Sequence, residues 1–238
     1  MNAAGRLSVV IPVHNGAATL PRLLRGLMDT QHPPAEVIVV DDGSDDTSAQ
    51  IAADFGARLI SLEGGPYGPA YARNRGAEAA GGDVLVFLDA DVTVHADTVP
   101  RLREALKAYP DYAAFFGSYD AHPPAPGLIS KYKNLLHHYV HQHSQVEADT
   151  FWAGCGAIRR DAFFAVGGFD ESYGRPAIED IELGTRLRRA GYRIRLCPDI
   201  QVTHRKRWSL TSWLRTDICH RAVPWTQLIL NEGRLPAG

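Results

Sequence analysis

Asp83-Val-Leu-Val-Phe-Leu-Asp-Ala-Asp91 is the stretch that decides the fold. Its apolar run is continuous and ends at an Asp-x-Asp, Asp89 and Asp91, which is typical of a strand buried on both faces. Such strands belong to parallel sheets that carry helices on either side. Ligands of these sheets bind at the carboxyl ends of the strands, where the two aspartates lie. The stretch therefore predicts an α/β sheet with a polar site at one edge.

The sequence around this strand alternates short apolar runs with helical periodicity. Strands are predicted at Leu7–Val13, Glu36–Asp42, Arg58–Leu62 and Asp83–Asp89. Helices are predicted at Ala17–Met28, from a Ser44 cap to about Phe55, and from a turn at Gly64–Gly68 through Ala80. This order predicts right-handed crossovers and a mostly parallel central sheet with helices on both faces.

The alternation loosens after Asp91. Strands are predicted at Ala113–Tyr119, Phe151–Ile158 and Ile194–Cys197. Helices are predicted at Thr98–Tyr109, Ile129–His143, Glu179–Ala190 and Ser209–Leu230, the last broken at Pro224. No flexible polar linker divides residues 1–120 from residues 121–204, so we expect two halves of one domain, followed by a basic helical segment at 205–238.

Composition restricts the class of protein. The chain has 238 residues, of which 45% are hydrophobic, and this excludes global disorder. Its three cysteines are far apart, which excludes a disulfide scaffold and fits a reducing compartment. The apolar run near the N-terminus is too short for a signal peptide, and no stretch is long enough for a membrane-spanning helix. The expected location is the cytoplasm, with the inner face of the plasma membrane as the alternative.

Charge is distributed unevenly along the chain. Residues 1–185 hold 14 basic and 24 acidic side chains, whereas residues 186–238 hold 11 basic and 3 acidic ones. A basic C-terminal part predicts an anionic partner, and nucleic acid, lipid head groups and a diphosphate all qualify. A solvated basic helix face is the alternative. Nucleic acid is disfavoured because the tail fits no DNA- or RNA-binding module.

Two pairs of carboxylates, Asp41-Asp42 and Asp89/Asp91, end strands at the same predicted edge. Turn formation explains one such pair more easily than two. We interpret the first pair as acceptors of hydrogen bonds from a nucleobase and ribose, and the second as ligands of a divalent metal on a diphosphate. Neither a GxGxxG nor a GxxxxGK[ST] motif is present, which argues against hydride transfer and P-loop chemistry.

Several motifs together resemble the signature of family 2 glycosyltransferases. They are Val9-Val-Ile-Pro-Val-His-Asn15, Val39-Val-Asp-Asp-Gly-Ser-Asp-Asp-Thr47, Ala72-Arg-Asn-Arg-Gly76, Phe87-Leu-Asp-Ala-Asp91, Trp152-Ala-Gly-Cys-Gly156, Val166-Gly-Gly-Phe-Asp170 and Glu179-Asp-Ile-Glu-Leu-Gly184. The resemblance runs from about residue 7 to residue 204. It implies a GT-A fold, a nucleotide-sugar donor (UDP first, GDP second), Mn²⁺ or Mg²⁺, and inversion at the anomeric carbon.

The same resemblance assigns roles to individual residues. The donor side comprises Pro12, Val13, Asp41, Asp42, Arg73, Asp89, Ala90 and Asp91. Metal ligands are Asp91, Asp89 and His204, and the catalytic base is Asp180. The acceptor side comprises Trp152, Gly154, Glu179, Arg207 and Trp208. Under this resemblance residues 1–120 are the nucleotide-sugar half and residues 121–204 the acceptor half.

One motif departs from the family. Processive members have Gln-x-x-Arg-Trp, whereas this chain has His204-Arg-Lys-Arg-Trp208. We interpret the change as non-processive transfer, with Arg207 near the diphosphate and Trp208 near an acceptor.

Asp180 also follows from chemistry, because inverting transfer needs a carboxylate to accept the acceptor's proton, and that carboxylate lies opposite the leaving group. A helix N-terminus is expected to keep it ionised, although acids in a first helical turn are also explained by the helix dipole alone.

Other features carry weaker predictions. The histidines at 137, 138, 141 and 143 indicate an exposed helix edge or an acceptor-groove wall rather than zinc, and Cys155 is interpreted as structural. The basic residues and tryptophans of the tail suit peripheral membrane contact, although core packing explains its apolar stripe equally well. The rival functions are a polyisoprenyl-phosphate sugar transferase, a non-catalytic nucleotide-sugar-binding module and a nucleotidyltransferase.

Overall fold

The computed structural model describes residues 5–232. Its strands are β1 (Leu7–Val13), β2 (Glu36–Asp41), β3 (Arg58–Ser61), β4 (Val84–Leu88), β5 (Val92–Val94), β6 (Ala114–Tyr119), β7 (Glu147–Ala148), β8 (Cys155–Arg159) and β9 (Ile194–His204). Its α-helices are α1 (Leu20–Met28), α2 (Ser48–Asp54), α3 (Pro69–Ala79), α4 (Thr98–Ala108), α5 (Leu128–His143), α6 (Arg160–Ala165), α7 (Glu179–Arg189), α8 (Leu210–Arg215) and α9 (Val223–Glu232). A π-helical turn, Thr216–Ala222, joins α8 to α9.

The described strands form one sheet in the order β3-β2-β1-β4-β8-β6-β9-β5, with β7 paired to β9. Strands β1, β2, β3, β4, β6 and β9 run in one direction, whereas β5, β7 and β8 run antiparallel to their neighbours. On β1, Val9 and Ile11 pack with α1 and α4, whereas Val10 packs with α3 and α7. Helices therefore cover both faces, and the predicted GT-A type of α/β sheet is confirmed.

The two halves of the chain share this sheet. Strand β8, from the second half, pairs with β4 on one side and β6 on the other. Each hydrophobic cluster also draws on both halves, with Leu7 and Ile200 in one and Val10 and Leu187 in the other. No helix within residues 5–232 has both the length and the apolar character needed to cross a bilayer.

Two predicted helix features are wrong. Ser44 does not cap α2, which begins at Ser48, and its hydroxyl instead accepts the backbone N–H of Asn15. Pro224 does not break the last helix, because it stands in the first turn of α9, where its missing N–H costs little. The irregularity is the π-helical turn just before it.

Strand β9 is much longer than the predicted Ile194–Cys197 and runs to His204. The β6–β9 register shifts between Phe116 and Ser118, and this bulge accommodates Pro198 within the strand. Because β5 pairs with β9, Val92 lies opposite His204. The extension therefore brings His204 beside the end of β4, where Asp91 follows.

Candidate active site

The carboxyl ends of β1, β2 and β4 lie side by side and form the donor edge predicted from the sequence. Val13 pairs in register with Asp41, and Pro12 is half-buried in the same strand as Val13. Asp41 is almost fully buried, and its carboxylate accepts the backbone N–H of Ser44 at 3.3 Å. The structure therefore brings the expected nucleobase residues together.

Asp42 binds the loop that leads into α3. One carboxylate oxygen accepts the N–H of Tyr67 at 2.8 Å and the other accepts the N–H of Gly68 at 2.7 Å. Gly68 has φ +101°, a conformation that a side chain would strain. Because both oxygens of Asp42 are engaged, Asp41 is the freer carboxylate for a ribose or base, and Asp42 shapes the loop.

Arg73 is the buried cation of the site, with 4% of its surface exposed. It donates to Asp89 at 2.7 Å and to Glu179 at 2.8 Å. Burial alone would lower the pKa of Arg73, but these carboxylates raise it above its ordinary value, so the guanidinium stays charged. One side chain of α3 therefore joins the end of β4 to the start of α7.

Glu179 has a different place from the one predicted for an acceptor-binding residue. It is buried, one oxygen accepts from Arg73, and the other accepts the N–H of Ala177 at 2.9 Å. This placement supports a positioning role, because each oxygen of Glu179 is already bonded within the protein.

Asp91 and His204 face each other, with Oδ2 of Asp91 3.5 Å from Nε2 of His204. Nδ1 of His204 is hydrogen-bonded to Oδ1 of Asn134 at 2.5 Å, which directs Nε2 towards the carboxylate. Burial raises the pKa of Asp91, but the hydrogen bond and charge of His204 lower it overall. The ring of His204 also stacks on Tyr119, with centroids 4.3 Å apart.

This pair fits part of a divalent-cation site. A carboxylate and an imidazole oriented by a second partner are the ligand types that hold Mn²⁺ or Mg²⁺ together with substrate oxygens. Ala90 is half-buried between the two aspartates, and Asp89 is turned towards Arg73. Among the described residues no group of three or more His, Cys, Asp or Glu side chains could hold a metal. Asp91 and His204 are thus the pair of described side chains that could contribute to such a site.

Asp180 stands in the first turn of α7. Its Oδ2 accepts the N–H of Ala153 at 3.2 Å, and Oδ1 accepts the N–H of Ile181 at 2.9 Å. Burial, followed by the charge of Glu179, raises the pKa of Asp180 to about 6, against the lowering effect of Arg73. Burial therefore has the largest effect on this pKa. A carboxylate with this pKa is still ionised at neutral pH and is a stronger base than an exposed one.

Trp152 and Gly154 form one wall of the cleft. The Trp152 ring packs edge-on against Tyr119 at 4.8 Å, and a side chain on Gly154 would overlap the indole. His137 and His141 lie 4.9 and 5.1 Å from the same indole. Burial lowers the pKa of both imidazoles, that of His141 to about 4, so both are neutral. Trp152, Gly154, His137 and His141 are together called the aromatic wall below.

Tyr119 shows that the acidic groups converge. Burial raises the pKa of its hydroxyl well above the ordinary value, and the charges of Asp91, Asp89 and Asp180 raise it further. Contacts link these groups as well: Asp91 faces His204, His204 stacks on Tyr119, and Tyr119 packs on Trp152. The next residue after Trp152 donates its N–H to Asp180, so Asp91 and Asp180 are joined by one run of contacts.

Arg207 and Trp208 lie farther along the same side. Arg207 is exposed. Trp208 is half-buried, and its backbone N–H donates to the hydroxyl of Ser130 on α5 at 2.9 Å. The Lys206 ammonium lies 4.6 Å from the centre of the Trp208 ring. The structure places Trp208 as an anchor of the C-terminal segment on α5.

A model for glycosyl transferase family 2 matches residues 8–167, and a model described as the N-terminal domain of galactosyltransferase matches residues 134–207. The chain belongs to glycosyl transferase family 2. The first match spans the donor edge, and the second spans the aromatic wall and His204.

Relatives of this family 2 chain act on different acceptors. It is 33% identical over 231 residues to the pre-mycofactocin glycosyltransferase of Mycobacterium tuberculosis, covering 87% of this chain and 44% of that one. It is 31% identical over 218 residues to the validoxylamine A glucosyltransferase of Streptomyces hygroscopicus, covering 78% and 52%. A shorter match, 40% over 107 residues, covers 42% of this chain and 33% of an Aeromonas hydrophila undecaprenyl-phosphate 4-deoxy-4-formamido-L-arabinose transferase. The chain spans about half the length of the first two relatives.

Solved structures agree on the fold. The mannosyltransferase PcManGT from Pyrobaculum calidifontis, in complex with GDP-Man and Mn²⁺, superposes with a TM-score of 0.72 at 21% identity, covering 98% of this chain and 66% of that one. GalNAc-T7, solved with UDP, GalNAc and Mn²⁺, gives 0.66 at 21% identity, covering 90% and 47%.

Some residues of this family 2 site were missed from the sequence. Asn134 and Tyr119 contact His204, and neither was among the predicted site residues. Glu179 was predicted on the acceptor side, but its ion pair with Arg73 was not predicted. The one available signal was position: Tyr119 ends a predicted strand, as the aspartates do. Asn134 lies inside a helix and had no signal.

Proposed function

We propose that the chain is an inverting, metal-dependent glycosyltransferase that moves a sugar from a nucleoside diphosphate sugar, UDP first, to an acceptor hydroxyl or a lipid-linked acceptor. The observation that carries this proposal is the run of contacts that joins the Asp91–His204 pair, through Tyr119 and Trp152, to Asp180. The proposed reaction needs one carboxylate to hold the metal at the leaving diphosphate and a second one to accept the proton of the acceptor hydroxyl. Asp91 and Asp180 would supply these two carboxylates.

The donor would occupy the edge formed by β1, β2 and β4. Pro12, Val13 and Asp41 would contact the base and ribose there, while Asp42 holds the loop before α3. Complexes of the structurally similar PcManGT with GDP-Man and of GalNAc-T7 with UDP support a nucleoside diphosphate in this position.

Asp91 and His204 would hold Mn²⁺ or Mg²⁺. A bound cation would offset the charge that develops on the departing diphosphate. Asp89 keeps Arg73 at the edge of the same site, so a second, fixed positive charge lies near the donor. The Mn²⁺ in the complexes of both structural neighbours supports this assignment.

Asp180 would take the proton from the acceptor hydroxyl as that oxygen attacks the anomeric carbon. The Ala153 N–H fixes the direction of the carboxylate, and the aromatic wall next to it offers Trp152 for stacking on a sugar face. Base and leaving group on opposite sides of the sugar give inversion.

A second candidate is transfer to a polyisoprenyl phosphate, where the phosphate attacks and no strong base is needed. The similarity to the undecaprenyl-phosphate transferase favours it. A non-catalytic binding module is disfavoured, because Asp91, Asp180 and His204 are all present, whereas a module that only binds would be free to lose them.

Calorimetric titration with UDP and GDP, with and without Mn²⁺, tests the donor and metal assignments. We expect Asp91→Ala to lose the metal-dependent part of the affinity, whereas Asp97→Ala, an exposed aspartate after β5, leaves it unchanged. Equal affinity in both variants would contradict the metal site. A hydrolysis screen across UDP- and GDP-sugars then identifies the donor.

We also propose peripheral contact with an anionic membrane. Exposed apolar side chains follow one face of α5 and continue onto the C-terminal segment: Leu128, Tyr132, Leu135, Leu136, Tyr139, Val140, Leu210, Leu214 and Ile218. Tyr132 and Trp213 join the two parts, with ring centroids 5.5 Å apart. Exposed Lys131 and Arg215 border this face, and that combination suits anionic head groups.

Co-sedimentation with vesicles tests this contact. We expect binding to vesicles that contain phosphatidylglycerol, weaker binding to phosphatidylcholine alone, and a loss in Tyr139→Ser but not in Phe164→Ser, which removes an exposed aromatic of α6. Concentration-dependent dimers in sedimentation, without vesicle binding, would instead assign this face to a second copy of the chain.

A further inference from the structure

Three polar side chains form one row on the face of α5 that packs on β6 and β9. Ser130, Asn134 and His138 follow one another at intervals of four residues, so they lie in line along the helix. Ser130 and Asn134 each have only 1% of their surface exposed. A helix face that covers a sheet is ordinarily apolar, and buried polar groups in such a face need hydrogen-bond partners.

Each member of the row makes a hydrogen bond to a different part of the chain. The hydroxyl of Ser130 accepts the backbone N–H of Trp208 at 2.9 Å. Nδ1 of His138 donates to the last carbonyl oxygen of β6 at 2.6 Å. Asn134 lies between these two, and its Oδ1 is bonded to Nδ1 of His204 at 2.5 Å. The outer two bonds fix α5 in place, and the middle one reaches the imidazole at the end of β9.

The bond to Asn134 determines which nitrogen of His204 carries the proton. An amide oxygen only accepts hydrogen bonds, so Nδ1 of His204 is the donor. In a neutral imidazole with the proton on Nδ1, the other nitrogen has a lone pair. Nε2 of His204 is 3.5 Å from Oδ2 of Asp91. Two electron-pair donors that face each other in this way suit a shared cation.

The stacking of His204 on Tyr119 shows why the hydrogen bond is needed. The two rings are nearly parallel, at 6°, with centroids 4.3 Å apart. Rotation of the imidazole by half a turn about its Cβ–Cγ bond would keep the ring in the same plane and preserve this stack. The same rotation would carry Nδ1 away from Asn134 and Nε2 away from Asp91. The hydrogen bond of Asn134 therefore selects one of the two ring orientations that the stack allows.

We propose that Asn134 is a positioning residue for a divalent cation. Its Oδ1 keeps the proton of His204 on Nδ1, so that Nε2 presents its lone pair beside Asp91. Removal of a partner that orients a metal-binding histidine weakens metal affinity by about 10–100-fold. The inference rests on the proposed function, because it takes Asp91 and His204 as the metal ligands. The alternative is that Asn134 only attaches α5 to β9.

The first test measures Mn²⁺ affinity in the presence of UDP, by electron paramagnetic resonance of the free ion. Asn134→Ala removes the acceptor oxygen, and Asn134→Asp keeps one. Asn74→Ala is the matched control, because it removes another buried helix asparagine, whose amide is bonded to the backbone of Phe169. We expect a loss of about tenfold or more in Asn134→Ala, most of the affinity in Asn134→Asp, and unchanged affinity in Asn74→Ala.

The second test determines the tautomer without any metal, by nitrogen-15 NMR of the histidine side chains. The signals of His204 are those that disappear in His204→Gln. In alkaline buffer, where imidazole is neutral, we expect the proton on Nδ1 of His204 in the unmodified protein and in Asn74→Ala. We expect both tautomers in Asn134→Ala. If Asn134 only attached α5, its loss would lower the stability and leave the tautomer unchanged.

The outcomes separate this inference from the proposed function. Mn²⁺ binding that Asn134→Ala leaves unchanged, or a proton on Nε2 of His204 in the unmodified protein, overturns the role of Asn134 alone. If the unmodified protein binds neither Mn²⁺ nor Mg²⁺, the metal dependence in the proposed function fails, and the inference fails with it. Circular dichroism checks the fold, and Asn134→Leu, which fills the space without an acceptor, replaces Asn134→Ala if that variant is unfolded.

Discussion

The donor edge and the aromatic wall face each other across the cleft and are built in opposite ways. At the donor edge, Asp42 and Glu179 have both carboxylate oxygens bonded, and Arg73 bridges two acids. Around the wall, buried nitrogens of His137, Asn134 and Trp208 have no hydrogen-bond partner among the described residues. At the donor edge Nε of Arg73 also lacks one, but both terminal nitrogens of its guanidinium are bonded.

The difference indicates which part is formed before substrate arrives. A buried polar group without a partner costs about 1–3 kcal/mol, so a chain keeps several of them together where a ligand completes the bonds. The donor edge holds its geometry through its own ion pairs. The wall depends on an acceptor for its remaining bonds. Substitutions at the donor edge should therefore change different properties of the protein from those that substitutions at the aromatic wall change.

The largest effect is expected for Asp180→Asn. Sugar transfer to a hydroxyl should fall by about 100-fold or more, because no group then accepts the proton, while the affinity for UDP stays unchanged. Initial rates and calorimetry measure the two quantities, with the exposed Asp170→Asn as control. Normal turnover by Asp180→Asn would exclude it as the base, and activity retained only with a phosphate acceptor would favour the polyisoprenyl-phosphate reaction.

Arg73→Gln should destabilise the donor edge, because it removes the cation that pairs with Asp89 and Glu179. Glu179 would then be a buried carboxylate without a cation, and the free energy of unfolding should drop by about 3–5 kcal/mol. Urea unfolding measures the change. Arg75→Gln removes a half-buried arginine of α3 that pairs with the exposed Glu171, and its cost should stay below about 1 kcal/mol. Equal losses in the two variants would contradict the central role of Arg73.

The pH dependence of transfer sharpens the comparison. Because burial and Glu179 raise the pKa of Asp180 to about 6, the base takes up a proton below that pH. Transfer should be level at neutral pH and fall by about tenfold per pH unit below the pKa. A pH–rate profile measures this limb, which should be absent from the residual activity of Asp180→Asn. If transfer instead fell with an apparent pKa near 4, the Asp180 carboxylate would be solvated and its pKa would not be raised by burial.

Gly154→Ala should give the smallest effect and act on the wall alone. The added methyl group overlaps the Trp152 indole and displaces it from Tyr119. We expect a several-fold higher KM for the acceptor and unchanged UDP affinity. Gly81→Ala, where the new methyl group meets only ordinary contacts, serves as the control. An increased UDP dissociation constant would show that the wall and the donor edge are coupled.

The two regions also differ in how well they could be predicted. The predicted bounds of β1 match the structure, and those of β2 and β4 differ by at most one residue per end, because continuous apolar runs directly reflect burial on both faces. The aspartates follow from those strand ends. The wall is assembled from α5 and the segment before β8, and it packs on Tyr119 of β6. These elements are far apart in the chain, and local periodicity contains no information about contacts between them.

By itself the sequence determined the family, the order of strands and helices from β1 to β4, and the residue types available at each of those strand ends. Only the tertiary structure decided that β9 reaches His204, that Asn134 turns this imidazole towards Asp91, and that burial rather than a helix dipole sets the pKa of Asp180. The physical reason is that apolar periodicity and turn residues act over a few neighbours. Desolvation and ion pairing instead depend on every group that folding brings within a few ångströms.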